Sequence, residues 1–204
     1  MGLSIHYQGK IKDYAIITEM MEELADICKT MQWPFQLFEP KNPNQNISKE
    51  KFTKYTPLDV KGISFTPENC ETVSLTFLPN GELVCPAKLV FYDHLTNDLM
   101  IEVISVKTQY AGPELHIALL KLLQYISNKY FASFTLDDEG EYWGKWDVKH
   151  FYKKFARYDF LVNGVTKALE GIDIKPGDTP ETILSKIESI LQKKMDSGEF
   201  DTNV

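Results

Sequence analysis

The apolar residues of this chain change their spacing twice, and that change limits the available folds more than any other feature. Residues 3–11 alternate apolar and polar side chains, the two-residue period of a strand with one buried face. From Asp13 to Met31 the period lengthens. Ile16, Ile17, Met20, Met21, Leu24, Ile27, Cys28 and Met31 recur at steps of three and four, with Glu19, Glu22, Glu23, Asp26 and Lys29 between them. That spacing predicts an amphipathic helix with one apolar face, and Asp13 stands where a side chain caps the first turn. Phe35 to Glu39 then returns to a short strand.

The same succession follows Ser105. Pro113 occupies a first helical position, where a missing N–H costs nothing. Ile117, Leu119, Leu120, Leu122, Leu123, Ile126 and Tyr130 form the next apolar face, and Phe131 to Leu136 reads as a strand. Gln8 and Gln109 hold corresponding places at an offset of 101 (109 minus 8), which suggests a duplicated β-α-β unit. Two such common units also arise by chance.

Between the two units the pattern is β-rich. Lys61 to Thr66 and Glu71 to Leu78 alternate, and Asn80-Gly81 between alternating runs signals a tight hairpin, because both residues tolerate positive φ. Ala87 to Tyr92 and Met100 to Thr108 are expected to continue the meander, joined by a polar turn at residues 93–98. Pro40 to Ser48, rich in Asn, Pro and Lys, reads as an exposed loop. Residues 147–170 read as helical with a break near Asn163-Gly164, and Thr179-Pro180-Glu181 opens a last helix with Ile183, Leu184, Ile187, Ile190 and Leu191 on its apolar face. The expected fold is α+β: a two-layer sandwich whose largely antiparallel sheet of about seven strands carries two long helices on one face. C-terminal helices complete it. A core at 1–160 and a helical appendage at 161–204 follow, and the appendage's apolar face suggests a homodimer contact.

Composition narrows the function classes. Hydrophobic residues at 43% and charged residues at 25% of 204 suit an ordinary globular core. A net charge of −7 opposes a phosphate backbone and favours a partner with a basic surface, so no nucleic-acid partner is expected. No stretch approaches the ~20 apolar residues of a membrane span, and no basic-then-apolar leader opens the sequence. The expected location is the cytoplasm, with no membrane partner. Three cysteines without Cys-x-x-Cys spacing, and four histidines without helical metal-ligand spacing, point to no metal site. No cofactor fingerprint is present.

Two clusters stand out. Lys107-Thr108-Gln109-Tyr110-Ala111-Gly112-Pro113-Glu114-Leu115-His116 sets a Gly-Pro turn between a strand and a helix start. Free N–H groups at a helix N-terminus beside a Lys and a His hold anions. Lys107, Gln109, Gly112 and His116 are therefore a candidate anion or small-molecule site, with His6 on a strand that would pair with the one bearing Lys107. Equally, the Gly-Pro pair is what a plain strand-to-helix turn needs. In the second cluster, Asp137-Asp138-Glu139-Gly140-Glu141 adjoins Tyr142, Trp143 and Trp146. Acids beside large aromatics describe an interface for a basic protein, with Asp138, Glu139, Glu141, Tyr142, Trp143 and Trp146 as its contacts. They also describe an ordinary solvated turn over an aromatic plug, and the spacing does not match a calcium loop.

Both clusters, over about residues 3–155, resemble motifs of an uncharacterised bacterial protein family with no assigned activity. The resemblance implies only that these two places are where a function is to be sought first. The leading expectation is an interaction protein of the immunity or adaptor kind. The alternative is a small-molecule enzyme or anion binder around Lys107, Gln109 and His116.

Overall fold

A computed structural model of the chain describes residues 3–40, 59–89, 99–170, 172–175 and 177–197. The chain divides into two compact units, residues 1–147 and 148–204. All but Pro40 of the expected loop at 40–48, the turn at 93–98 and half of the strand at 87–92 lie outside the described residues.

The first unit begins with β1 (Ser4–Ile11). Asp13 caps a 3-10 turn at Tyr14–Ile16 by accepting from the Ala15 N–H, and α1 (Ile17–Met31) follows. Gln32 ends the helix in a left-handed conformation, φ 57, and its N–H bonds back to Cys28 and Lys29 carbonyls. Then come β2 (Phe35–Phe38), β3 (Lys61–Phe65), β4 (Val73–Phe77) and β5 (Leu83–Val84). Asn80-Gly81 makes the β4–β5 turn as expected: Gly81 has φ 85, and the Asn80 side chain accepts from the Glu82 N–H.

The meander then departs from the expected pattern. Pro86–Leu89 is a helical turn, α2, and Leu99–Glu102 another, α3, so β6 is only Ile104–Lys107. Pro86 explains the first departure. Its fixed φ opens a helical turn whose Lys88 and Leu89 N–H groups bond to the Cys85 carbonyl, overriding the alternation downstream. A 3-10 turn at Gln109–Ala111 leads to α4 (Pro113–Tyr130) and β7 (Phe131–Asp138).

The structure belongs to the α+β class, but its seven described strands form two antiparallel sheets where the sequence suggested one. The orders are β6-β1-β7 and β2-β3-β4-β5, with a single bridge, Lys10 to Glu82, linking them. β6 and β7 both run antiparallel to β1, so β6-α4-β7 is a β-α-β crossover with β1 inserted between its strands. α1 instead joins one sheet to the other, so the two similar segments close differently. α4 packs against β7 and α1 against β3 and β2. The two helices touch each other through Glu23, which accepts from Tyr125, Tyr130 and Lys129. They are neighbours, but each rides on a different sheet.

Packing explains why the sheets hold together. β4 is buried along its full length. β5 pairs only with Thr76 and Phe77, so the Ser74 N–H and C=O face no strand on that side. Tyr7 of β1 fills the gap: its hydroxyl donates to the Ser74 carbonyl (3.0 Å) and accepts from the Ser74 N–H (3.1 Å). One phenol thus substitutes for a strand and ties the two sheets.

The second unit contains α5 (Val148–Glu170), unbroken through Asn163-Gly164, and α6 (Pro180–Asp196). Thr179 caps α6 ahead of Pro180, its hydroxyl accepting from the Thr182 N–H. The two helices pack on each other. Among the described residues no helix is long and apolar enough to cross a membrane.

Candidate functional site

α4 begins where it does because of Gly112. Its φ of 88 and ψ of 164 suit glycine alone, and Pro113 takes the first helical position. From that start, His116 falls on the same stripe as Leu119, Leu120, Leu123 and Ile126, all buried. On β7, Asp138 shares the alternation of Phe134 and Leu136, so it points inward while Asp137 points out. Helix and strand thereby bring one imidazole and one carboxylate together inside the protein.

His116 Nε2 lies 2.9 Å from Asp138 Oδ1, and His116 Nδ1 lies 2.6 Å from the Thr108 hydroxyl. Thr108 and His116 are fully buried and Asp138 is 7% exposed. Asp138 accepts three further bonds, from the N–H groups of Gly140 (2.7 Å), Tyr142 (2.7 Å) and Trp143 (3.0 Å). Burial alone would raise its pKa. The bond and charge of His116, with the N–H groups of Trp143 and Gly140, outweigh that and hold it below the usual carboxylate value. An ionised carboxylate only accepts, so Nε2 carries a proton. Nδ1 then either accepts from Thr108 or donates to it while the Thr108 hydroxyl turns to the Leu3 carbonyl, 3.2 Å away. Both proton states leave every member of the relay bonded.

The order hydroxyl–imidazole–carboxylate is that of a hydrolytic triad, but a hydroxyl with no exposed surface cannot meet a substrate. The relay is a fastener. It joins the start of β1, the end of β6, the first turn of α4 and the end of β7.

The candidate anion site does not assemble. His116 is fully buried and bonded at both nitrogens, and Gln109 is 6% exposed, so neither faces a solute. The Gln109 amide atoms have no hydrogen-bond partner among the described residues. Glu114 sits in the first turn of α4 and itself supplies the negative charge that a helix N-terminus favours. Lys107 extends over the Tyr110 ring at 5.9 Å, and its backbone N–H bonds to Glu71. His6 lies on the strand paired with β6, as expected, but on the outer face with Ser105. Cys70 is no substitute nucleophile: burial, with Glu71 beside it, pushes its thiol up to about 11.

The acidic cluster divides in two. Asp138 and Tyr142, 7% and 3% exposed, belong to the interior and are withdrawn from the expected partner surface. Asp137, Glu141 and Asp147 are exposed, Glu139 is half-buried, and so are Trp143 and Trp146. The tryptophan rings pack 5.4 Å apart, Trp146 meets Tyr142 edge-on at 5.3 Å, and Trp143 reaches Phe134 at 6.2 Å. Two non-glycine residues here adopt left-handed backbone, Glu141 with φ 59 and Trp146 with φ 52, on either side of Gly144 at φ 79. For a residue as bulky as tryptophan such a conformation costs of order 1 kcal/mol or more and persists only where its surroundings enforce it. The Asp138 bonds to Gly140, Tyr142 and Trp143, and the Trp146 N–H bond to the Tyr142 carbonyl, are that enforcement.

Thr108 and Asp138's inward role are what residue patterns missed. The signal was present: a lone His on an apolar helix stripe and a lone Asp on the apolar parity of a strand imply each other. Among the described residues no group of three or more His, Cys, Asp or Glu could hold a metal ion. In the first unit a groove of about 250 Å³ is lined by Gln8, Gly9, Glu82, Glu102, Ser133, Phe134 and Thr135. Compared with protein families, curated proteins and solved structures, the chain matches none.

Proposed function

We propose that the chain is an interaction protein that presents segment 137–147 to a protein partner with a basic surface. The observation that carries this reading is the strained, pinned turn. A buried carboxylate gives its acceptor capacity to one short stretch of backbone, and two non-glycine residues are held left-handed there. The result is a preformed pair of half-exposed tryptophans in a segment that also carries Asp137, Glu139, Glu141 and Asp147. Preorganised aromatics lose little freedom on binding and are the usual anchors of interfaces, while carboxylates steer a basic partner. A solvated turn without a task needs neither tryptophans nor strain.

The test is retention from cell extract on the immobilised protein across a salt series, with two variants run in parallel. Asp137→Lys with Glu141→Lys reverses the charge, and Trp143→Ala removes an anchor. A discrete set of proteins should be retained by the unaltered chain, released by salt, lost on charge reversal and weakened at least ~30-fold by Trp143→Ala. Retention of the same set by both variants contradicts the proposal.

A further inference from the structure

The outer face of the three-stranded sheet carries a second polar row, distinct from the buried relay. His6 and Ser105 are direct partners in the antiparallel register of β1 and β6, so their side chains stand on the same face. Ser105 Oγ lies 2.9 Å from His6 Nδ1, and His6 Nε2 lies 3.6 Å from Glu139 Oε1. The other Glu139 oxygen accepts from the Ser4 N–H at 2.8 Å, which fixes the carboxylate against the sheet. Asp137, the β7 partner of His6, adds a second carboxylate to the same row. Unlike the buried relay this one is open: Ser105 is exposed, and the His6 and Glu139 side chains are 32% and 40% exposed.

Hydroxyl, imidazole and carboxylate in this order are the parts of an activated nucleophile with its base and orienting group. Lys107 stands two residues beyond Ser105 on the same face of β6, its ammonium 5.9 Å from the Tyr110 ring centroid, a cation for charge developing on a carbonyl oxygen. Gln8, the next residue on that face of β1, opens the ~250 Å³ groove, whose lining adds Thr135, Phe134, Glu82 and Glu102. The two carboxylates disfavour anionic substrates there.

We propose that Ser105 is a nucleophile served by His6, and that the chain hydrolyses small acyl esters that are neutral or cationic. In the first step His6 Nδ1 takes the Ser105 proton as Oγ bonds to the ester carbonyl carbon. The tetrahedral intermediate then collapses: the bond to the leaving alkoxide breaks, and the imidazolium returns the proton to that oxygen, leaving acyl-Ser105. Water, deprotonated by His6, attacks the acyl carbon and releases the carboxylic acid with Ser105 restored. Glu139 is a positioning residue that favours the imidazolium formed in each half.

The test uses the full chain, p-nitrophenyl acetate as substrate and a fluorophosphonate as covalent probe, with the labelled residue located by mass spectrometry. Expected are labelling at Ser105, an ester hydrolysis rate that falls about 100-fold or more to the buffer level in Ser105→Ala, and a comparable loss of labelling in His6→Gln. Glu139→Gln should lower the rate about 10-fold and shift the rising limb of its pH profile, which a merely structural role would not. Ser105→Ala removes only an exposed hydroxyl, and circular dichroism matching the unaltered chain confirms the fold. Absence of label at Ser105, or labelling unchanged in His6→Gln, overturns the proposal.

Discussion

Asp138→Asn keeps the side chain's size and changes one oxygen to an NH₂ group, which makes it the sharpest perturbation of the buried relay. If Oδ2 is the atom replaced, the Tyr142 and Trp143 N–H groups both lose their acceptor. If Oδ1 is replaced, His116 can shift its proton to Nδ1 and accept at Nε2, with Thr108 turning to Leu3, but the Gly140 N–H is still orphaned. The cheaper arrangement therefore leaves one buried donor unpaired, about 1–3 kcal/mol. Two remaining bonds also fall from charge-assisted to neutral strength, about 0.5–1 kcal/mol each. The sum centres on roughly 3.5 kcal/mol, a drop of roughly 7–14 °C in Tm for a chain of this size. Urea and thermal unfolding of the two proteins measure it. The pH dependence has a definite sign. The folded-state pKa of Asp138 is lowered, so its contribution is full above the unfolded carboxylate value near ~4 and fades as pH falls through the lower folded value. The gap between the two proteins should be constant above about pH 5 and shrink in acid. A gap under ~1 kcal/mol at neutral pH would refute the reasoning, because it would mean that water already serves these donors.

Three other perturbations check the fold that holds the relay. Tyr7→Phe leaves the Ser74 N–H and C=O without their partner and should cost about 2–4 kcal/mol by denaturant titration. Gly62→Ala places a Cβ 2.2 Å from the Leu75 carbonyl oxygen at φ 150, so a loss above ~3 kcal/mol or failure to fold is expected in expression and melting assays. Burial, then Glu23, pushes the Tyr130 phenol up to about 12, and burial also raises Tyr7. A raised phenol contributes stability that is full below about pH 10 and is lost as pH rises through the folded value, so Tyr130→Phe should flatten the alkaline limb of the stability curve.

How much of this was legible in the residues depends on the range of the interaction. The caps and turns were local and were read correctly: Asp13 before α1, Asn80-Gly81 between β4 and β5, Pro113 at the start of α4, and Thr179-Pro180 at α6. Of the strands predicted after Pro86, the start of the one at 87–92 is helical because one proline opened a helical turn against an alternating pattern, and the one at 100–108 is a strand over Ile104–Lys107. The division into two sheets was not legible, because it depends on β5 stopping after two residues and on Tyr7 reaching Ser74 across 67 positions. The two clusters were singled out as separate candidates, yet His116 and Asp138 bind each other at a separation of 22 residues. Four acids at 137–141, interrupted by one glycine, read as solvated because composition does not show parity. Counting alternation from Phe134 and Leu136 shows that Asp138 faces in.

Hydrogen exchange at the amides of Gly140, Tyr142 and Trp143 tests most directly whether a buried carboxylate holds the aromatic turn in its strained shape. In the unaltered protein these amides should exchange as slowly as those of the β1–β7 ladder, since opening them requires breaking the relay. In Asp138→Asn they should exchange at least ~30-fold faster while the β3–β4 amides keep their protection, a selectivity that matches at least ~2 kcal/mol of local loosening. Amides at these three positions that exchange at open-loop rates in the unaltered protein would contradict the pinned turn and, with it, the preformed surface for a partner.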